Sequence, residues 1–239
     1  MSGYVEESYE VLEEDKSEEQ IQQKIRLGFI RKVYGILLFQ LLLTTLIVFL
    51  TIRYRVLSEF LLSNPAFLYL CIAGVLFTEI PIICCRSAAQ KVPLNYILLL
   101  IFTICESFLV AHTTLYYEPL SVLICAGLTL AVVIALTLYA IFTKTDLTVC
   151  GGALAALSII SIILTIIGIF YTSLFYHTLI NAFGVFLFSL YLIYDVQLVV
   201  GKNKVFLSTD SYIIGALMIY IDIIVLFLKI LWLFGKKKK

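Results

Sequence analysis

Apolar residues occur in seven long runs separated by short polar stretches, and this pattern predicts the elements of the fold. Each run is close to the ~20 residues that an α-helix needs to cross ~30 Å of hydrocarbon. Strands of a membrane β-barrel are about half as long and alternate in polarity, and the sequence has neither property. We therefore expect an all-α polytopic membrane protein whose third span is short and whose seventh is long. The predicted spans are 33–52, 66–85, 95–111, 120–143, 151–171, 178–200 and 211–234.

Composition narrows the class of function. Of the 239 residues, 62% are hydrophobic and 14% are charged, against about 45–50% and 25% in soluble globular proteins. This excess excludes an ordinary soluble enzyme, a disordered chain and a nucleic-acid binder. We expect no enzymatic activity and no cofactor, with membrane lipid as the main surrounding partner. Almost all of the six cysteines fall in apolar runs without a CxxC pair, so we interpret them as small apolar residues.

The charges are unevenly distributed along the chain. Eight of the sixteen acidic residues lie within 1–19, whereas four of the seventeen basic residues are 236–239. We predict an acidic N-terminal tail over 1–30, disordered at its start, followed by a transmembrane domain over 31–239. Basic residues flanking the first span favour a cytosolic N-terminus. Seven crossings place the C-terminal lysines on the other side, against their preference for the cytosol, and a re-entrant seventh segment is the alternative. We favour crossing.

Five charged residues lie within the predicted spans, and they are the first candidates for function. Each costs roughly 2.5–3.5 kcal/mol on membrane-insertion scales. Four are acids and one is a base, so they cannot all pair with one another. Some of the acids must therefore be protonated, hydrated or bound to ions. The five are Glu79, Glu106, Asp195, Asp222 and Lys229.

Asp195 and Asp222 form the most informative pair. Asp195 lies about 8 Å from the cytosolic end of span six, and Asp222 about 17 Å from the same end of span seven. Because these helices are consecutive, a small offset brings the carboxyl groups together, where low dielectric prevents both from ionising easily. We predict a proton-sensitive latch that a cation can also occupy. The structural alternative is that Asp195 only neutralises cytosolic lysines such as Lys202. Lys229 is expected to extend its ammonium toward the far interface.

Four separated segments resemble one known family in order and spacing. They are residues 29–45 (FIRKVYGILLFQLLLTT), 93–95 (PLN) followed by Glu106, 194–201 (YDVQLVVG), and 212–228 with YIDIIVLFL at its end. The first resembles the first span of the transmembrane Bax inhibitor motif family, particularly its Lifeguard and Golgi anti-apoptotic branches. The others resemble the third, sixth and seventh spans, so the resemblance runs from about residue 24 to the end.

The resemblance implies a seven-helix bundle with the C-terminal helix at its centre. It implies an endoplasmic reticulum or Golgi membrane, and a pH-sensitive Ca²⁺ leak that lowers stored calcium and inhibits apoptosis. The family's paired aspartates, which sense pH and bind the ion, fall on Asp195 and Asp222. Glu106 would line the pore and Asp210 would stand at its mouth, where Lifeguard-like members often have Pro-Glu-Glu. Bacterial relatives carry an arginine in the second span, where this chain has Glu79.

Three other interpretations stay open. The chain could act only by binding cell-death regulatory proteins, without any flux. Tyr194-Asp195 and Asp222 also resemble the two sites of aspartyl intramembrane proteases, although the Gly-x-Gly-Asp signature of that class is missing here. A retinal protein would use Lys229 for its Schiff base, but that lysine lies near the end of its helix.

Overall fold

The computed structural model describes residues 2–85, 89–171, 173–201 and 206–238, with side chains from residue 20 onward. Lys202, considered above as a partner of Asp195, lies outside the described residues. Within the described part the chain forms eight α-helices and a short 3₁₀ turn at Thr148–Cys150. The helices are α1 (Ser2–Arg53), α2 (Arg55–Ser63), α3 (Pro65–Cys84), α4 (Leu94–Thr114), α5 (Pro119–Phe142), α6 (Gly151–Phe170), α7 (Leu174–Val200) and α8 (Tyr212–Phe234).

Seven of these helices, all except α2, are long and apolar enough to cross a membrane, which confirms the predicted fold class. The third span was predicted to be short, and this prediction is wrong, because α4 has 21 residues. Its last turn contains Thr113 and Thr114, whose hydroxyls donate to the carbonyls of Leu109 and Ala111 within the same helix. Local hydrogen bonding of this kind lets two polar residues extend an apolar helix.

The predicted disorder at the start of the acidic tail is wrong, because α1 begins at Ser2 and continues without a break to Arg53. The segment is rich in glutamate, glutamine and lysine, which are good helix formers. Its helical propensity is therefore sufficient to continue the membrane helix N-terminally.

Helix α8 forms the centre of the bundle, as the family resemblance implied. It contacts α1, α3, α4, α5 and α7, and it is the most buried of the seven candidate spans. A helix that is apolar on all sides is stable in such a position. Helix α6, at the other extreme, lies at the periphery and packs chiefly on α7.

The C-terminal tail docks on the loop between α4 and α5. The Glu118 N–H donates to the Lys236 carbonyl and the Lys238 N–H to the Tyr116 carbonyl, both at 2.9 Å. The Lys236 ammonium also lies 2.8 Å from the Glu118 carboxylate. Because α8 is continuous over 23 residues, it is not re-entrant. The tail therefore lies at the end of the bundle opposite the start of α8.

Helix α2 was not predicted. It occupies nine residues between α1 and α3 and lies at the same end of the bundle as the C-terminal tail. Its Leu61 is fully buried against Ala111 and Leu115 of α4 and its continuation. The connection between the first two spans is therefore a folded cap on the bundle, and not an extended loop.

Candidate ion site at the centre of the bundle

Two aspartates face each other where α7 packs against α8. Asp195 and Asp222 are each only 4% exposed, and their carboxyl groups lie close enough to interact directly with each other. A hydrogen bond between two carboxyl groups requires a proton on at least one of them, because an ionised carboxylate only accepts. The arrangement is therefore suited to holding a proton between the two groups.

The register of the two antiparallel helices explains how the pair forms. Gly215 of α8 lies against Val199 of α7, where a β-carbon on the glycine would stand 3.1 Å from the valine side chain. Asp222 follows Gly215 by seven residues and Asp195 precedes Val199 by four. At 1.5 Å per residue the difference along the helix axis is about 4–5 Å, a distance that two side chains span. Close approach at Gly215 thus sets the offset that the sequence left open.

No basic side chain of the described residues forms a salt bridge with either aspartate. One oxygen on each residue, Oδ1 of Asp195 and Oδ2 of Asp222, is buried without a hydrogen-bond partner. Within the described ranges no three His, Cys, Asp or Glu side chains cluster as metal ligands. Ca²⁺ is usually held by six to eight oxygens. The pair by itself therefore provides fewer oxygen ligands than a tight Ca²⁺ site requires.

Arg26 of α1 closes the bundle beyond the pair. Its guanidinium donates to the carbonyl oxygens of Leu198 (2.6 Å), Val200 (3.2 Å) and Leu207 (2.5 Å). The last carbonyls of a helix have no partner within the helix, so Arg26 satisfies the C-terminal end of α7 one turn beyond Asp195. A cation at that end is also favoured by the helix dipole.

The chain is shaped to receive this guanidinium. Gly201, which follows α7, has a φ of +69°, and any side chain there would collide with Arg26. Two aromatic rings hold the other surfaces of the guanidinium, with Phe29 at 4.8 Å and Phe206 at 5.4 Å from its central carbon. Arg26 thus ties α1, α7 and the loop before α8 together.

Gln197 attaches a second segment of the chain to the same end of α7. Its side-chain oxygen accepts from the Leu147 N–H at 2.9 Å, and its amide nitrogen donates to the Thr145 carbonyl at 2.9 Å. The loop between α5 and α6 is therefore fastened to α7 only two residues from Asp195. The segment 194–201, which carried the family resemblance, supplies both the buried acid and this attachment.

A polar cluster lies on another side of α8, where α1 and α4 pack against it. The Tyr220 hydroxyl is 2.8 Å from the Thr44 hydroxyl, which in turn accepts from Ser107 at 2.9 Å. Gln40 donates to the Thr103 hydroxyl at 3.0 Å. We call these five residues the Tyr220 cluster. All five are buried, so α8 presents polar groups to α7 through Asp222 and to α1 and α4 through Tyr220.

The two remaining candidates are not joined to the aspartate pair. Glu106 lies on α4 beside the Tyr220 cluster, close enough to Glu79 of α3 and to Tyr220 for electrostatic interaction. Asp210 is exposed in the turn before α8 and lies twelve residues before Asp222 in the sequence. The structure thus separates the acids: Asp210 is exposed in the turn before α8, the aspartate pair is buried between α7 and α8, and Glu106 interacts with Glu79 of α3.

Sequence reasoning missed Arg26, Gln197 and most of the Tyr220 cluster. Gln40 and Thr44 are four residues apart, as are Thr103 and Ser107, so each pair shares one helix face. This spacing of polar residues inside apolar runs is the signal that could have found them. Arg26 and Gln197 gave no such signal, because their partners are main-chain groups.

Comparison with known proteins agrees with this architecture. The profile of the family described as inhibitor of apoptosis-promoting Bax1 matches residues 26–239. Protein lifeguard 3 of Homo sapiens is 36% identical over 219 residues, covering 90% of this chain and 70% of the human protein. Its Mus musculus counterpart is 35% identical over the same length, which is 71% of that protein.

A viral relative is covered over more of its own length. The Golgi anti-apoptotic protein of Vaccinia virus (strain Lister) is 33% identical over 216 residues, which are 90% of this chain and 88% of the viral protein. The family profile spans nearly the whole described bundle, including α7, α8 and the residues of the aspartate pair. The chain is therefore a multi-pass membrane protein that belongs to the Bax inhibitor family, alongside the Lifeguard and Golgi anti-apoptotic proteins.

Proposed function

We propose that this chain is a proton-sensitive Ca²⁺ leak channel of the endoplasmic reticulum or Golgi membrane, which lowers stored calcium and thereby inhibits apoptosis. The observation that carries the proposal is the buried pair of interacting aspartates between α7 and the central helix α8, without a salt-bridge partner among the described residues. Membership of the Bax inhibitor family and the name of the viral relative, Golgi anti-apoptotic protein, support the anti-apoptotic part. The activity is transport and not catalysis.

In this proposal, one proton shared by the two carboxyl groups stabilises the closed state. While Asp195 and Asp222 share the proton, their hydrogen bond holds α7 against α8 and the path is closed. Loss of the proton leaves two negative charges side by side in a low dielectric, where their repulsion is strong. The helices then separate at this level. Arg26 and Gln197 keep the end of α7 attached to its neighbours, so the movement is confined to the region around the pair.

The cation passes several acids. With the N-terminus in the cytosol, Asp210 stands at the cytosolic mouth, the aspartate pair lies inside between α7 and α8, and Glu106 and Glu79 lie on α4 and α3. Carboxylate oxygens are the ligands that Ca²⁺ prefers, and acids facing the interior of a membrane bundle mark ion pathways. A site with only two carboxylates binds Ca²⁺ weakly enough to release it, which conduction requires.

Flux into proteoliposomes from about pH 6 to 8 tests the proposal. The wild type is compared with Asp195→Asn, Asp222→Asn and the double variant, with Glu59→Gln as a control because that exposed acid lies on α2. We expect Ca²⁺ flux that rises with pH in the wild type and in the control. Each Asn variant should change the pH dependence, and the double variant should show no further change because the pair acts as one unit.

Two results would contradict this reading. Equal flux in wild type and both Asn variants would remove the aspartates from the pathway. No flux above empty liposomes at any pH would favour a protein that acts only by binding cell-death regulators. Peptide products from a helical substrate would instead indicate an aspartyl protease, although a pair that is 4% exposed offers a peptide no access in this conformation.

A further inference from the structure

A pocket that combines apolar walls with a few polar side chains lies two helical turns beyond Asp222, toward the opposite end of the bundle from the start of α8. It is a cavity of about 320 Å³ between α6, α7 and α8. Its polar lining is Thr165 from α6, His177 and Asn181 from α7, and Lys229 from α8, with Trp232 at its edge. The cation transport proposed above uses none of these side chains.

Lys229 is the central feature of the pocket. It lies five residues before the end of α8, about 8 Å below that end. Its aliphatic stem runs over Gly184 of α7, where a β-carbon would stand only 3.0 Å from the lysine ε-carbon. Neither salt bridge within the described residues involves Lys229. Because Gly184 has no side chain, the lysine stem packs directly against α7. The half-buried Lys229 ammonium therefore stays at this depth, without an acidic salt-bridge partner among the described residues.

The surrounding groups add donors and positive charge. Asn181 uses its amide nitrogen for the His177 carbonyl at 2.8 Å, which leaves its second N–H for another acceptor. The Lys237 ammonium of the C-terminal tail lies 5.9 Å from the centre of the Trp232 ring, so a second cation stands at the mouth. The described residues that line the pocket include no acid.

The membrane can reach this pocket from the side. Because α6 packs chiefly on α7, a gap remains between α6 and α8, bordered by the exposed side chain of Ile169. Trp232 marks the level of the interface, where tryptophans concentrate in membrane proteins. Phospholipid head groups present phosphate oxygens at this level, and both a lysine ammonium and an amide N–H donate to such oxygens.

We propose that this pocket binds a phosphate group presented by an anionic membrane phospholipid. The Lys229 ammonium and the free N–H of Asn181 contact the phosphate oxygens, Lys237 adds long-range attraction, and the acyl chains follow the gap between α6 and α8. The lipid thereby supplies the counter-charge that Lys229 lacks and joins the peripheral helix α6 to the central helix α8.

Trp232 makes the test local, because it is the single tryptophan of the chain. The full chain is reconstituted in two vesicle preparations of identical phosphatidylcholine to phosphatidic acid ratio. In one preparation the phosphatidic acid carries bromine near the headgroup end of its acyl chains, and in the other the phosphatidylcholine does. Bromine quenches tryptophan on contact, so the ratio of the two signals reports which lipid lies beside Trp232.

We expect quenching by brominated phosphatidic acid several times above its mole fraction. Lys229→Gln should reduce this preference about fivefold, the usual effect of one lysine on an anionic lipid. Lys229→Arg should retain the preference. Lys91→Gln, a change of an exposed lysine at the other end of the bundle, should leave the preference unchanged.

Quenching in proportion to mole fraction in the wild type would overturn the proposal without any variant, and would mean that Lys229 only extends to the interface. An unchanged preference in Lys229→Gln would overturn it as well. Inorganic phosphate added to the vesicles distinguishes the source of the phosphate. We expect no effect, whereas loss of the preference at millimolar phosphate would assign the pocket to a free anion. Failure here leaves the Ca²⁺ flux experiment unaffected, since the two sites share no residue.

Discussion

Tyr220 has no exposed surface, and its hydroxyl is one of the few polar groups in the core of the bundle. The hydroxyl depends on Thr44 of α1 for a partner, at 2.8 Å. Thr44 also accepts from Ser107 of α4, so one threonine connects three helices. Hydrogen bonds between membrane helices are worth only about 0.6 kcal/mol on average, and rarely above about 1.7 kcal/mol. The Tyr220 cluster therefore specifies which faces of α1, α4 and α8 meet more than it stabilises them.

Tyr220→Phe tests this estimate at the residue scale. The ring remains packed against Phe102, whose centre lies 6.0 Å away, while the hydroxyl is lost and Thr44 keeps Ser107 as its partner. We expect the free energy of unfolding to fall by roughly 0.5–1.5 kcal/mol, measured by denaturant titration in detergent micelles. Tyr139→Phe, at a 50% exposed position on α5, is the matched control and should change stability less. A loss above about 3 kcal/mol would mean that the cluster is a principal source of stability.

The joint between α1 and the C-terminal end of α7 depends on one side chain, Arg26. One guanidinium serves three carbonyls from two segments, and the chain reverses around it at Gly201. The fork of an arginine can do this, whereas the point charge of a lysine cannot reproduce the geometry. Helix α7 therefore depends on α1 for the order of its last turn.

Arg26→Gln should release that last turn. A hydrogen bond to a charged group contributes about 1.5–3 kcal/mol, so amides of residues 197–201 and 207 should exchange with deuterium at least about tenfold faster. Arg26→Lys should give an intermediate rate. Arg31→Gln, an exposed arginine on the same helix, is the control and should exchange at the wild-type rate. Unchanged exchange in Arg26→Gln would show that packing alone orders this end of α7.

How far the sequence predicted these features depends on how local their causes are. Hydropathy is a property of each segment, so the spans were found within a few residues of their ends, except for the start of the first, whose helix extends far N-terminal of residue 33. The proximity of Asp195 and Asp222 followed from helix geometry, but their register depended on Gly215 meeting Val199, a contact that no local pattern encodes. Arg26 escaped because its partners are carbonyls 172 to 181 residues away, and main-chain acceptors leave no trace in a sequence.

The short helix α2 and the acidic tail show the other limits. A nine-residue helix is too short for a span and too apolar on one side for a loop, so its existence depends on burial of Leu61. The tail was predicted from its charge, which favours disorder, whereas its content of good helix formers continues α1. For α2, tertiary packing of Leu61 outweighed its short length. For the tail, helix propensity outweighed its charge.

At the scale of the whole molecule, seven candidate spans and a docked C-terminal tail place the two termini at opposite ends of the bundle. The tail is fixed by main-chain hydrogen bonds to the loop at Tyr116–Glu118 and not by its charges alone. The Lys236 to Glu118 contact is exposed, and such pairs contribute about 0–1 kcal/mol. The position of the tail is thus a result of the fold and persists when its lysines are neutralised.

Protease protection in sealed microsomes tests this placement. With one epitope at each terminus, we expect the N-terminal epitope to be digested and the C-terminal epitope to be protected, because an odd number of crossings separates them. Both epitopes should be digested once detergent opens the vesicles. Neutralising Lys236 to Lys238 should leave the pattern unchanged. Digestion of both epitopes in intact vesicles would contradict seven crossings.

The central helix carries Asp222 and Tyr220 two residues apart, toward different neighbours, and this makes proton binding and helix packing thermodynamically linked. If the closed state holds one proton more than the open state, any loss of closed-state packing moves the midpoint of opening to a more acidic pH. Tyr220→Phe weakens contacts with α1 and α4, which are remote from the carboxyl groups. Under the proposed function, the pH at which opening begins would then be a property of the entire bundle, adjustable from helices that never touch the proton.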